Sequence, residues 1–276
     1  MSANIVNVHN RDPVNVGDRF SAVHRYGEEL NLPALSRAKP GAIWTYNFAS
    51  RVPFVSPDLE GKNVIVGGGG LVGTDFFDAG MKRISEMRRS GKIPLLIMWG
   101  AGHNAEFSRG DARPTDYLGA YDLIGIRDKD SQLPGEWVPC ASCMMPQLDA
   151  AARLPIEHDV VVYDQRSYRT GLAGEHPTLS NKTRDINQVL AHLASGETVV
   201  TSSYHGVEWA TWMGRKVVLM NPFSTKFSHM AHPPVVGDGI SLDEAVSRAR
   251  AYPDSLAESR SATRRFSLKV ARLLNS

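Results

Sequence analysis

Three stretches of the chain combine residue types that can hold an anion. Gly67-Gly68-Gly69-Gly70 follows the apolar run Asn63–Val66. Glycine permits close backbone approach and positive φ, so successive amides can cradle a negative charge. No Gly-Lys-Ser/Thr follows, so this is not a P-loop, and it is not a clean GxGxxG fingerprint either. A tight strand-to-helix turn that needs small residues is the plain alternative. Arg127-Asp128-Lys129-Asp130-Ser131 ends the run Leu123–Ile126. A guanidinium there can grip a carboxylate or phosphate in bidentate fashion, with Asp128 to orient it. A surface salt-bridge cluster is the alternative. Ser202-Ser203-Tyr204-His205-Gly206 joins a third run to a helical pattern. A histidine at a helix start can donate to a phosphate or act as an acid near neutral pH, and free amides such as that of Gly206 attract anions. A capped helix, with Ser202 or Ser203 as N-cap, explains the same residues without chemistry.

A fourth group comes early, at Asn15-Val16-Gly17-Asp18, ahead of an expected helix reaching Leu30. Asp18 can bind a sugar hydroxyl, serve as a base, or simply cap that helix. Cys140-Ala141-Ser142-Cys143 is a lone CxxC. Zinc sites need about four ligands and no second pair lies nearby in sequence, so a structural reading is preferred. His229 and His232 bracket a Met-Ala pair and show no convincing ligand spacing. No metal is expected.

These groups need elements to position them. Besides the runs above, residues 93–99, 159–163, 198–201 and 216–220 are short and rich in Val, Ile and Leu. Such runs suit strands buried on both faces of a parallel sheet. Between them lie helical patterns at 74–90, 183–195 and 206–213, ending at Gly91, Gly196 and Gly214. Alternating strands and helices predict an α/β fold. The strands form two groups, before about residue 135 and after about 155, joined by a connection over 132–154. The expected organisation is residues 1–140, residues 141–240, and C-terminal helices over 241–276, broken at Pro253. Ligands in open α/β sheets sit at the carboxyl ends of strands. All the candidate residues after the runs fall there.

Bulk properties narrow the classes. The formal charge is +2 over 276 residues, so nothing calls for nucleic acid. The basic residues between Arg248 and Arg272 read as a solvated helix face. No secretory leader and no run of the ~20 apolar residues needed to cross a bilayer is read. Two cysteines give no disulfide framework, which fits a reducing cytoplasm.

Taken in order, Asn15-Val16-Gly17-Asp18, Val66-Gly67-Gly68-Gly69-Gly70-Leu71, Trp99-Gly100-Ala101-Gly102, Ile126-Arg127-Asp128-Lys129-Asp130-Ser131 and Thr201-Ser202-Ser203-Tyr204-His205-Gly206 resemble the polysaccharide pyruvyl transferase family. The likeness spans about residues 15–222. It implies a glycosyltransferase-B-like fold, two Rossmann-like domains with parallel sheets facing a cleft, with the acceptor on the first domain and the donor on the second. It implies transfer of a pyruvyl group from phosphoenolpyruvate to a sugar of a polysaccharide or its precursor, as a ketal, with release of phosphate. The sugar acceptor includes the option of a lipid-linked oligosaccharide, with the enzyme peripheral at the inner membrane. No cofactor is implied. The resemblance places Arg127 and His205 around phosphoenolpyruvate. Asp18 is the expected acceptor-side base. Asn15, Gly68, Gly69, Gly70, Asp128, Ser203, Tyr204 and Gly206 are expected substrate contacts. Many members carry Arg-Leu-His where this chain has Ser203-Tyr204-His205, so another cation, Arg166, Arg169 or Lys226, is expected to stand in. The chain is also short for the family, so trimmed acceptor loops are expected. Two other readings stay open: a nucleotide-sugar glycosyltransferase with Glu208 on the ribose, and a non-catalytic relative.

Overall fold

The computed structural model describes residues 4–10, 12, 14–44, 58–107 and 115–275. Two parallel sheets account for the α/β class. The first is built from β1 (Ile5–Asn10), β2 (Lys39–Trp44), β3 (Asn63–Val66), β4 (Gly69–Val72), β5 (Leu96–His103), β6 (Leu123–Ile126) and β7 (Glu136–Trp137), in the order β2-β1-β3-β5-β6-β7 with β4 paired to β5. The second contains β8 (His158–Asp164), β9 (Thr178–Ser180), β10 (Gly196–Thr201), β11 (Lys216–Leu219) and β12 (Val235–Val236), in the order β12-β11-β10-β8-β9. Every pairing is parallel. Parallel strands need crossovers. Within the sheets α1 (Val16–Phe20), α2 (Pro33–Ser36), α3 (Asp75–Arg89), α5 (Ile186–Ser195) and α6 (Tyr204–Trp212) lie on such connections, whereas α4 (Gln147–Ala151) joins the two sheets and α7 (Leu242–Arg248) and α8 (Ser255–Asn275) follow the last strand.

The expected Val- and Ile-rich runs are strands because both faces are covered. Val64, Ile65 and Val66 are all buried, as are Val199 and Val200. Three expectations need correction. The glycine run does not lead into a helix: Gly69 and Gly70 open β4, and α3 begins only at Asp75. The run read as 93–99 continues as β5 through Gly100-Ala101-Gly102 to His103. The helix expected to run to Leu30 stops at Phe20, and a 3-10 turn at Val23–Tyr26 follows. In the 74–90 pattern, the Phe76 side chain lies outside the described residues.

Helix α8 ties the two units together. Its buried face carries Ser259, Thr263, Phe266 and Val270, at helical spacing. Phe266 meets Trp99 of β5 edge to face at 5.0 Å, while Ser259 Oγ accepts from the Trp212 indole of α6. Its basic residues are less free than expected. Arg260 pairs with Asp149 at 2.7 Å and Lys269 with Glu136 at 2.6 Å. Among the described residues, no helix is long and apolar enough to cross a membrane.

Candidate active site

The first unit presents Asp18. Asn15 caps α1, with its Oδ1 accepting from Gly17 N at 3.0 Å. The same side chain donates from Nδ2 to Asp18 Oδ2 at 2.9 Å, and Asn10 Nδ2 adds a second bond at 2.8 Å. Asp18 is therefore held rather than capping. Burial, then the charge of Asp12, push its carboxyl up to about 7, against the pull of Lys226, Arg127 and Arg166.

Arg127 follows β6 and is buried. Its Cζ lies 3.7 Å over the ring of Tyr204, the first residue of α6. The Tyr204 hydroxyl donates to Glu208 Oε1 at 3.0 Å. Arg127 Nε has no hydrogen-bond partner. Asp128 does not pair with it: its Oδ2 accepts from His103 N at 2.5 Å, which ties the end of β5 to the end of β6. A Cβ on Gly102 would lie 2.5 Å from Arg127 Nε and 2.7 Å from Asp128 Oδ1, so glycine lets both side chains lie against β5.

His205 comes from the second unit and packs on the first. Any Cβ at Gly17 would collide with its Nδ1, so α1 and the imidazole are in contact. Its Nε2 lies 3.7 Å from Cys140 Sγ. Burial, then Arg127 and Lys226, push the imidazole down to about 3. This favours the neutral ring, which suits the expected hydrogen bond to a phosphate better than the expected role as an acid.

Lys226 enters on the loop after β11. That loop crosses to the first unit: Thr225 N donates to Ala105 O at 2.9 Å, Ser224 Oγ to Asn104 Oδ1 at 3.0 Å, and His103 Nδ1 meets Thr225 Oγ1 at 2.6 Å. Lys226 Nζ then lies 3.9 Å over the Phe223 ring. Burial, then Arg127, bring its ammonium down to about 7, against Asp18 and Glu106. The other two stand-ins are placed differently. Arg166 pairs with Asp12 at 2.8 Å, and Arg169 is exposed.

No family model and no curated protein matches the sequence. Solved structures do. An uncharacterised protein of Klebsiella pneumoniae is 14% identical over 80% of this chain and 84% of its own, with a TM-score of 0.46. A Listeria monocytogenes protein assigned as a UDP-N-acetylglucosamine 2-epimerase is 9% identical over 97% and 91%, with a TM-score of 0.42. A wall teichoic acid polymerase is 10% identical over 100% and 89%, with a TM-score of 0.40. At such values they say nothing of this chain's chemistry.

The remaining expected contacts are differently employed. Ser203 is the N-cap of α6, its Oγ accepting from Gly206 N at 3.4 Å. The Gly206 amide is thus engaged by the cap and not offered to an anion. Gly206 is small for packing, since a Cβ would lie 2.5 Å from Thr201 Oγ1 and 2.7 Å from Tyr163. Two amides of the glycine run are already engaged: Gly67 N donates to Val8 O at 2.9 Å and Gly68 N to Ser21 O at 3.2 Å. Gly69 takes φ +101 where β4 starts, and Gly70 packs on Asn104. Cys143 Sγ lies 3.4 Å from Thr263 Oγ1 on α8, a structural contact. His232 meets Glu258 at 3.0 Å instead of His229.

Proposed function

We propose that the chain is a transferase that moves a pyruvyl group from phosphoenolpyruvate onto a sugar, forming a ketal and releasing phosphate. The observation that carries this reading is that the two units bring Asp18, Arg127, His205 and Lys226 together: His205 packs on Gly17 beside Asp18, Arg127 stacks on Tyr204 beside His205, and the charge of Lys226 acts on both Asp18 and His205. The ordered motifs that resemble the polysaccharide pyruvyl transferase family supply Asp18, Arg127 and His205, while Lys226 lies outside them.

Phosphoenolpyruvate carries a phosphate and a carboxylate, and Arg127 with Lys226 provides cations for both. Lys226 supplies the cation absent at Ser203. Its ammonium also stands near neutrality, as a general acid should. In the first step its proton goes to the methylene carbon of phosphoenolpyruvate, while a sugar hydroxyl bonds to the enolic carbon and gives its proton to Asp18. A second sugar hydroxyl then bonds to the same carbon as the bond to phosphate oxygen breaks. Of the two hydroxyl protons, one restores Lys226 and the other leaves with phosphate. Neutral His205 donates a hydrogen bond at the donor without moving a proton. Asn15 and Asn10 fix the Asp18 carboxylate toward the acceptor. The scheme calls for no nucleotide or redox cofactor. A sugar linked to a polysaccharide precursor, including a lipid-linked one at the inner membrane, suits the acceptor role.

The nucleotide-sugar reading is weaker, because Glu208 is buried in α6 with one oxygen held by Tyr204. The test is a thermal-shift comparison. Phosphoenolpyruvate should raise the unfolding midpoint and nucleotide sugars should not; the reverse pattern would favour the glycosyltransferase reading.

A further inference from the structure

We infer that Cys140, His205 and Glu208 form a binding site for one zinc-class divalent cation, contrary to the expectation of no metal. One ligand atom from each lies within 4.8 Å of the others, and all three residues are buried. The Cys140 Sγ–His205 Nε2 separation is 3.7 Å. Bonds of ~2.3 Å to sulfur and ~2.0 Å to nitrogen in a tetrahedral site set such a pair about 3.5 Å apart. The pair is already spaced for a shared ion, and the carboxylate needs a movement of about 1 Å.

The second observation is on Glu208. It is 7% exposed, and its Oε2 has no hydrogen-bond partner. Tyr204 holds the other oxygen. A buried carboxylate oxygen without a partner is costly, and a cation satisfies it. Cys140 is fully buried too, and the Ser142 hydroxyl beside its sulfur, at 3.2 Å, also accepts from the Trp209 indole. The cysteine is thereby held on the ring of His205. Of the three, Glu208 lines a pocket, together with Arg127, Trp137, Tyr204, Trp212 and His232, so the carboxylate side of the cluster faces an opening.

Cysteine, histidine and glutamate are the donors of zinc sites with an open fourth position. Ligation through Nε2 leaves Nδ1 as the N–H, on the ring edge that packs against Gly17. The ion would anchor that ring between the two units, whichever donor substrate the cleft takes.

The test uses the full chain without a histidine tag, exposed to cobalt(II) and dialysed. The expected result is one cobalt per chain with a thiolate-to-cobalt charge-transfer band. Cys140→Ala should abolish the band, and Cys143→Ala, which alters the thiol facing α8, should keep it. Glu208→Gln should weaken retention by at least the ~10–100-fold typical of partners one shell further out. Folded wild-type protein that retains no cobalt would overturn the proposal. So would bound cobalt without the band, or a band lost in Cys143→Ala and kept in Cys140→Ala. Should Cys140→Ala fail to fold by circular dichroism, the wild-type and Cys143→Ala spectra together decide.

Discussion

The guanidinium of Arg127, at the end of β6, lies 3.7 Å over the ring of Tyr204, at the start of α6. One residue belongs to each sheet unit, so the stack aligns the two walls of the cleft. Arg127→Lys keeps a charge but loses the planar fork and most of the stacking. The expected loss in kcat/KM for phosphoenolpyruvate is about 10²–10³-fold, the range of a removed transition-state contact. Steady-state phosphate release measures it. Tyr204→Phe should cost far less activity, and about 1 kcal/mol of stability through the lost bond to Glu208.

Asp18 and Lys226 both titrate near neutrality, at about 7 each. With Asp18 as base and Lys226 as acid, kcat/KM should peak near pH 7 and fall on both sides. Asp18→Asn should remove nearly all turnover while phosphoenolpyruvate still binds. Lys226→Gln should weaken donor binding and flatten the alkaline limb of what remains. pH–rate profiles of both variants check this.

The raised Asp18 carboxyl also has a sign in stability. Its folded value lies above the ordinary 3.8, so the folded state binds the proton more tightly. That contribution is full below about pH 4 and is lost as pH rises toward 7. It amounts to at most about 4 kcal/mol, and less because Asp18 is only half-buried. Asp12, Arg166, Arg127 and Lys226 face the same group. Asp18→Asn should therefore be more stable than wild type at pH 8, and lose part of the decline between pH 4 and 7, in denaturant titrations.

Gly17 is small because His205 lies on it. Gly17→Ala should displace the imidazole and lower kcat/KM by at least about tenfold, since sub-ångström misplacement near the chemistry is costly. Gly119→Ala, where nothing lies within 4 Å of the added carbon, should be silent. The two variants compared by activity and circular dichroism separate site from fold.

Ser203→Ala removes the N-cap of α6. The expected cost is about 1 kcal/mol, lowering Tm by about 2–4 °C for a chain of this size. Retained donor binding in this variant would mark Ser203 as a cap and Lys226 as the working cation.

The parallel-sheet class was legible because β3, β5, β8, β10 and β11 are apolar on both faces. Strand β1 was not, because Asn7 and His9 interrupt its hydrophobic pattern. Asn7 is buried there only because it donates to Ile65 O and Gly67 O, partners that no local pattern reveals. Strand β2 carries Pro40 and Gly41, and β7, β9 and β12 are too short to show a period. At the site, Arg127, His205 and Asp18 follow from the strand-end rule and the motif order. The state of His205 does not, since its neutrality comes from burial beside two cations brought from elsewhere. In the glycine run the Gly67 and Gly68 amides are taken by Val8 and Ser21, far away in sequence, which no local pattern reveals. The Cys140–His205 contact spans 65 positions and leaves no spacing signature. Lys226 had a faint one: an aromatic-flanked lysine just beyond a strand end.

The most direct test of the account is inorganic phosphate released from phosphoenolpyruvate by the purified full chain over a panel of galactose- and mannose-type glycosides. Acceptor-dependent release is expected, one phosphate per ketal formed, lost in Asp18→Asn and strongly reduced in Arg127→Lys. Acceptor-dependent release that is unchanged in both variants, or no release with any acceptor while a nucleotide sugar is turned over, would contradict it.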